Sequence, residues 1–326
     1  MLLTQQKKLD DAFKEFLVVQ SVKKGLKERT VREHKVHFDY FKSYLKNSGI
    51  QVANVNDVTD MICAGYWEFL RNKVKWSDHR RIGSKLKNEE KGLSQTTINI
   101  RTRTLKAQFN YYKKKGYILD NPWQEFNLRH EDATPRYWSK SELFRLLDAI
   151  NADSFEGERD RALYLFLLDT GARIGETLQL NEWNFDLNEG EVHFPAQITK
   201  NGHPRTSPLG KDTVTLLQRL FKRNSEVSPK TSYGAFITGN GTRITYAGVR
   251  DNLVRYAKKA KLDHAHFHQF RHSFAVHYTL NGGDEVSLMQ IGGWRAQQSL
   301  RRYRTLTEND LKKQHQKFAP VNSLFQ

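Results

Sequence analysis

In the first third of the chain, apolar residues recur three and four positions apart, the spacing of an amphipathic helix rather than a strand. Phe13, Phe16 and Leu17 form one such stripe; Val31, Val36, Phe38, Phe41, Tyr44 and Leu45 form a broader second. Thr30 stands before the second stripe with Glu33 three positions on, which predicts a capping box. A third helix is expected to start at Asn56 or Asp57 and to run through Tyr66, Trp67, Phe69 and Leu70. Ser94 is the expected cap of a fourth, through Ile98, Leu105, Phe109 and Tyr112, and Gly116 ends it. Four helices around one core predict a helical bundle over residues 1–128.

Residues 129–137 carry His, Glu, Asp, Thr and Pro135 without apolar period and read as a linker. Residues 138–326 then mix elements. The stretch Trp138-Ser139-Lys140-Ser141-Glu142-Leu143 opens a helix, and a buried one is expected over 159–169, with Leu163, Phe166, Leu167 and Leu168 inward. A short helix follows Gly171. Residues 191–198 alternate as a strand, Asn201-Gly202 is a two-residue hairpin signal, and 205–209 is the return, placed at an edge by Pro204. Helices are predicted over 213–223, 247–259, 268–280 and 284–291, with a terminal helix and tail after Glu308. The fold class is therefore mainly α with a small β hairpin or sheet, in two domains.

Charge changes the picture. The 326 residues hold 53 Lys and Arg against 36 Asp and Glu, a net +17, which favours a polyanionic partner. The excess is clustered: eight basic and three acidic residues lie between Arg71 and Lys91, and six basic with no acidic between Arg101 and Lys115. Arg80, Arg81, Lys85 and Lys87 fall in a basic, Gly-containing loop beside the fourth helix. Arg101, Arg103 and Lys106 are interleaved on that helix with Thr96, Thr97, Asn99, Thr102 and Thr104, a mixture suited to phosphate contacts and some groove reading in double-stranded DNA. A solvated helix face is the alternative. A membrane partner is disfavoured: the longest apolar run, Ala162 to Leu168, is seven residues, where a span needs about 20. Cys63 is the single cysteine, so an internal disulfide is excluded, and a reducing, cytoplasmic setting is expected.

Several polar residues stand out in the second domain. Arg173 follows a Thr-Gly turn at the start of a short helix, with Glu176 one turn on; its planar fork suits a phosphate, and the carboxylate can steady it. Taken alone, the pair is equally a structural ion pair. His268 and Arg271 share one helix face, while Phe267, Phe270 and Phe274 pack the opposite side, so a polar pair is held on a rigid element. His264, His266, His268, His272 and His277 invite a zinc reading, but no Glu follows His268 and no cysteine assists, so no metal is expected. Trp294 and, nine residues later, Tyr303 close the set. Two arginines, a histidine and a phenol suit attack on a phosphodiester.

Together these stretches resemble the tyrosine recombinase (phage integrase) family. Thr170-Gly171-Ala172-Arg173-Ile174-Gly175-Glu176-Thr177-Leu178 resembles its first arginine box, and His268-Gln269-Phe270-Arg271-His272-Ser273-Phe274-Ala275 its second. Ile291-Gly292-Gly293-Trp294 followed by Tyr303 resembles its closing box, in the Cre-like variant with tryptophan where many members have histidine. Thr199-Lys200-Asn201-Gly202 is similar to the turn carrying the family's catalytic lysine. The helical N-terminal half is similar in layout to its core-binding domain. The resemblance implies a site-specific recombinase acting through a 3′-phosphotyrosyl intermediate, with no cofactor and no ATP. It implies roles for Arg173, Lys200, His268, Arg271 and Trp294, with Tyr303 as nucleophile, and a homo-tetramer of protomers on two DNA sites. A type IB topoisomerase, using the same chemistry on one duplex, and an inactive DNA-binding regulator remain alternatives. Tyr278 and Lys211 are the nearest rivals of Tyr303 and Lys200.

Overall fold

The structure is a computed structural model that describes residues 6–72, 92–126, 136–227 and 234–300, together with 312, 315–317, 319 and 321. The chain divides into two compact units, Met1–Asp132 and Ala133–Gln326.

The first unit is a helical bundle of α1 (Leu9–Val18), α2 (Glu28–Asn47), α3 (Asp60–Asn72) and α4 (Gln95–Lys114). Its core is aromatic: Phe16, Phe38, Phe41, Tyr66, Phe109, Tyr112 and Trp123 are all fully buried. Phe13 stacks on Phe38 at 3.8 Å between centroids, and Trp123 meets the edges of Phe41 and Tyr66. α4 starts as expected, with the Ser94 hydroxyl accepting from the Thr97 amide, and Gly116 follows it in the left-handed conformation.

Two helix starts differ from expectation. α2 begins at Glu28 after Lys27, with no side-chain cap, so Thr30 lies inside its first turn. The pairs Arg29–Glu33 and Arg32–Glu28 support that turn instead. The chain around Asn56 and Asp57 forms a separate 3₁₀ turn, Val55–Asp57, closed by a capping box between Asn54 and Asp57, and α3 starts only at Asp60.

The second unit surrounds α6 (Phe155–Thr170), which is buried around most of its circumference, the charged Glu158, Arg159 and Asp160 included. Around it stand α5 (Lys140–Asp148), α8 (Lys211–Val227), α9 (Tyr246–Lys259) and α10 (Phe267–Leu280). The Ser139–Glu142 capping box starts α5. An antiparallel sheet in the order β1 (Phe185–Asp186), β2 (Glu191–Phe194), β3 (Arg205–Pro208) lies alongside, with Phe194 paired to Arg205.

The expected two-residue hairpin at Asn201-Gly202 is not formed. β2 ends at Phe194 because Pro195 cannot donate to the ladder, and residues 195–204 make a longer turn-rich connection. β3 is an edge strand, as Pro204 suggested, and β1 is a strand that periodicity did not indicate. Two short helices, α7 (Ile174–Thr177) and α11 (Glu285–Gly292), carry residues considered below. Among the described residues no helix is long and apolar enough to cross a membrane.

Candidate active site

The end of α6 sets the first part of the site. Gly171 caps this helix at φ 58°, and a Cβ there would lie 2.2 Å from the Phe274 ring, so the turn requires glycine on both conformational and steric grounds. The chain then reverses into α7. Arg173 precedes that helix in an extended conformation, and its Nη1 donates to Glu176 Oε1 at 2.9 Å.

Glu176 is the hub. Its side chain is 3% exposed and serves three donors from three segments. Oε1 accepts from Arg173 Nη1 and from the Lys200 backbone amide at 3.1 Å; Oε2 accepts from Arg205 Nη2 at 3.0 Å. Burial by itself would raise the Glu176 pKa. Arg205, the Lys200 amide and Arg173 outweigh it and hold the carboxyl below its usual range. Lys200 therefore sits on an exposed turn whose backbone is tied to the first arginine segment.

α10 supplies the second part. Phe267 and Phe270 face the main core and Phe274 a smaller one with Leu288 and Leu300, as the sequence pattern implied. Arg271, four residues after Phe267 and three before Phe274, lies on that packed side and is only 3% exposed, not on an open polar face as expected. Its Nη1 donates to the carbonyls of Gly171 at 2.5 Å and Gly292 at 2.6 Å, joining the ends of α6 and α11. Its guanidinium lies 3.6 Å from the centre of the Trp294 ring, which in turn stacks parallel on Phe274. The arginine is thereby fixed before any ligand arrives.

His268 stands one turn before Arg271 and stays open to solvent. The protein around its ring depresses its pKa, and the positive charges of Arg271, His266, Arg173 and Lys200 depress it further. The charges that act on this imidazole thus come from segments about 30, 70 and 100 residues apart in sequence, more than one helix can bring together. His266 caps α10. His277 bonds the Trp138 carbonyl at 2.8 Å.

A cleft of about 360 Å³ opens beside Glu176, lined by Arg173, Glu176, Thr199, Asn201, Arg205 and Trp294 among others, but not by His268, Arg271 or Lys200. Its cationic, hydrogen-bonding wall suits a phosphate diester. A larger groove of about 790 Å³ in the same unit, lined by Phe144, Leu147, Leu168, Phe274 and Tyr278, is apolar and carries none of the cationic cluster.

The structure thus gathers Arg173, Glu176, Lys200, His268, Arg271 and Trp294 around one region. Tyr303 lies outside the described residues, as do Arg80, Arg81, Lys85 and Lys87. Tyr278 packs against Phe274 and is turned to the apolar groove, and Lys211 begins α8. The three cations expected together on α4 are divided: Arg103 is exposed, Lys106 donates to the Gln124 carbonyl, and Arg101 is 8% exposed with its guanidinium over the Tyr40 ring at 3.8 Å. Sequence reading missed Arg205. Its signal was an arginine on a short strand, but the aromatic and carboxylate partners appear only once the strand register is known.

Two sequence profiles match the chain: "Phage integrase family" over residues 136–310 and "Phage integrase SAM-like domain" over 9–129. A tyrosine recombinase XerC of Alcanivorax borkumensis is 30% identical over 220 residues, covering 66% of this chain and 70% of that protein. In fold, the chain is similar to the Tn1549 transposon integrase solved with a circular intermediate DNA (TM-score 0.70, 19% identity, 94% of this chain and 98% of that one). It is also similar in fold to a lambda integrase tetramer bound to a Holliday junction (TM-score 0.65, 14% identity, 89% and 78%).

Proposed function

The chain belongs to the phage integrase family, as a site-specific tyrosine recombinase of DNA, and on that premise we propose which of its residues do the chemistry. The Tyr303 phenol attacks the scissile phosphorus, forming a 3′-phosphotyrosyl bond as the bond to the 5′ oxygen breaks. Its ordinary pKa is ~10, so it needs assistance at neutral pH. Arg173 and Arg271 hold the non-bridging oxygens and stabilise the charge of the five-coordinate transition state, with single-donor losses of roughly 10²–10³ in rate. His268, with its depressed pKa, is neutral at pH 7 and can take the phenol proton or donate to the phosphate. Lys200 protonates the leaving 5′ oxygen. Trp294 braces Arg271 and offers an indole N–H, a donor that cannot shuttle a proton. The phosphotyrosyl bond retains the energy of the diester, so a partner 5′-OH reverses the step without ATP, metal or other cofactor.

The observation that carries this reading is the joining of distant segments: Glu176 binds Arg173 and the Lys200 amide, and Arg271 binds the carbonyl of Gly171, two residues before Arg173. The partner is double-stranded DNA, contacted by residues 1–128 through Arg103 and Lys106 and by the loop holding Arg80, Arg81, Lys85 and Lys87. Residues 129–137 link that part to the catalytic residues 138–326. The protein acts in the cytoplasm of its cell as a homo-tetramer on DNA, a reading supported by the similar fold of a lambda integrase tetramer bound to a Holliday junction. Relaxation of a single duplex and a purely regulatory role fit the recombinase relatives poorly.

The test is to capture protein–DNA adducts under denaturing conditions and sequence the attached DNA. One recurrent sequence, absent with Tyr303→Phe, is the expected result. An intact wild-type protein that forms no adduct on the DNA it binds would leave only the regulatory role.

A further inference from the structure

Arg205 has no part in the mechanism above, yet its surroundings are among the most constrained in the second unit. The side chain is 10% exposed, with its guanidinium carbon 3.8 Å from the centre of the Phe194 ring across the β2–β3 ladder. Its Nη2 occupies Glu176 Oε2, leaving Oε1 to the Lys200 amide and to Arg173. Gly293, at φ 68°, packs directly over it: a Cβ there would come within 3.0 Å of Arg205 Cδ. Arg205 therefore touches the strand, the carboxylate hub and the segment leading to Trp294.

The connection between β2 and β3 explains why this matters. Lys200 lies in the middle of it and Arg205 at its end, and one carboxylate holds both. The Lys200 side chain is exposed, so its reach is set by its backbone. That backbone is held by its amide bond to Glu176, beside a Thr199 hydroxyl that donates to the Ala196 carbonyl. A carboxylate without its buried counter-ion would turn toward Arg173, and the Lys200 amide would lose a fixed acceptor.

We propose that Arg205 is a positioning residue for the proton-transfer step: acting through Glu176, it holds the turn that presents Lys200 to the leaving 5′ oxygen. This rests on the recombinase mechanism proposed above. When the phosphotyrosyl bond forms and the P–O5′ bond breaks, the departing alkoxide takes its proton from the Lys200 ammonium. If sulfur replaces that bridging oxygen, the P–S bond breaks and the thiolate departs without a proton, because thiols are far stronger acids than alcohols.

The experiment uses two duplexes of the sequence recovered from trapped adducts, one with an ordinary scissile phosphate and one with 5′-bridging sulfur. Arg205→Ala and the milder Arg205→Lys are compared with Lys200→Ala. On the oxygen duplex, Arg205→Ala should cleave about ten- to a hundredfold more slowly, with Arg205→Lys between it and wild type. On the sulfur duplex all three should regain most of that loss. Equal losses on both duplexes would make Arg205 a direct phosphate ligand or a mere fold support, and no loss would remove it from the mechanism; either result overturns the proposal. A second arm needs no DNA. In the free protein, amide exchange at Lys200 should accelerate about tenfold in Arg205→Ala while α6 core amides keep their protection, and unchanged exchange at Lys200 would refute the coupling. Absence of any wild-type adduct would sink the recombinase chemistry and leave this arm standing.

Discussion

Replacing Glu176 by glutamine probes the hub of the site with almost no change in shape. The wild-type carboxylate accepts three hydrogen bonds, at 2.9, 3.1 and 3.0 Å, two of them from guanidinium groups. A glutamine has one acceptor oxygen. Turned toward Arg173 and Lys200, it sets its NH₂ donor against Arg205; turned toward Arg205, it abandons the other two. At least one charge-assisted bond worth roughly 1.5–3 kcal/mol is lost either way. The buried Arg205 also loses its counter-charge, so about 2–4 kcal/mol at pH 7 is expected. The folded-state pKa of Glu176 is depressed, so its contribution is complete above the unfolded carboxyl value of ~4.3. The contribution then fades as pH falls through the lower folded value. The wild-type advantage over Glu176→Gln should therefore be constant from pH 6 to 8 and shrink below about pH 4. Hydrogen exchange at α6 and α10 amides measures the opening free energy of the second unit specifically. Core protection in Glu176→Gln within about 0.5 kcal/mol of wild type at pH 7 would refute the claim that this carboxylate organises the site.

Three other outcomes follow from the same geometry. Gly171→Ala must place a Cβ against Phe274 at a positive φ, and should cost roughly 2–5 kcal/mol in thermal or denaturant unfolding, a cost that a relaxed turn would not show. Glu15, drawn down to about 2 by hydrogen bonds from Tyr111 and Tyr117, stabilises the first unit above about pH 4.5 and loses that effect as pH falls toward 2. Glu15→Gln should thus lower urea stability by roughly 1–2 kcal/mol at pH 7 and make little difference near pH 2. In titrations of DNA affinity against salt, Arg103→Ala should reduce the slope of log affinity by about 0.9, whereas Arg101→Ala should destabilise the bundle and leave the slope unchanged.

Much of this architecture was legible in the chain because local chemistry and tertiary demand agreed. Ser94 and Gly116 delimit α4, and Phe267, Phe270 and Phe274 are buried along α10 as their stripe required, although Arg271 is buried with them and only His268 is left exposed. Where the two diverged, the expectation failed for a nameable reason. Thr30 is a good cap, but ion pairs one turn earlier extended α2 past it. Asn201-Gly202 is a good hairpin turn, but Pro195 had already ended the strand. Arg101 and Arg103 are two residues apart on a helix, hence about 200° around its axis, so one is buried where the other is free. Arg205 was invisible because its meaning depends on Phe194 and Glu176, 11 and 29 positions away, and on a register that the misjudged turn concealed.

The central claim is that Tyr303 attacks phosphorus within the pocket framed by Arg173 and Arg271. Protease digestion of the trapped adduct, followed by mass-spectrometric location of the nucleotide-bearing residue and chemical assignment of its linkage, tests it most directly. The expected result is a single modified peptide carrying a 3′-phosphate ester on Tyr303. A nucleotide on Tyr278 or any other residue, or a 5′ linkage, would contradict the account.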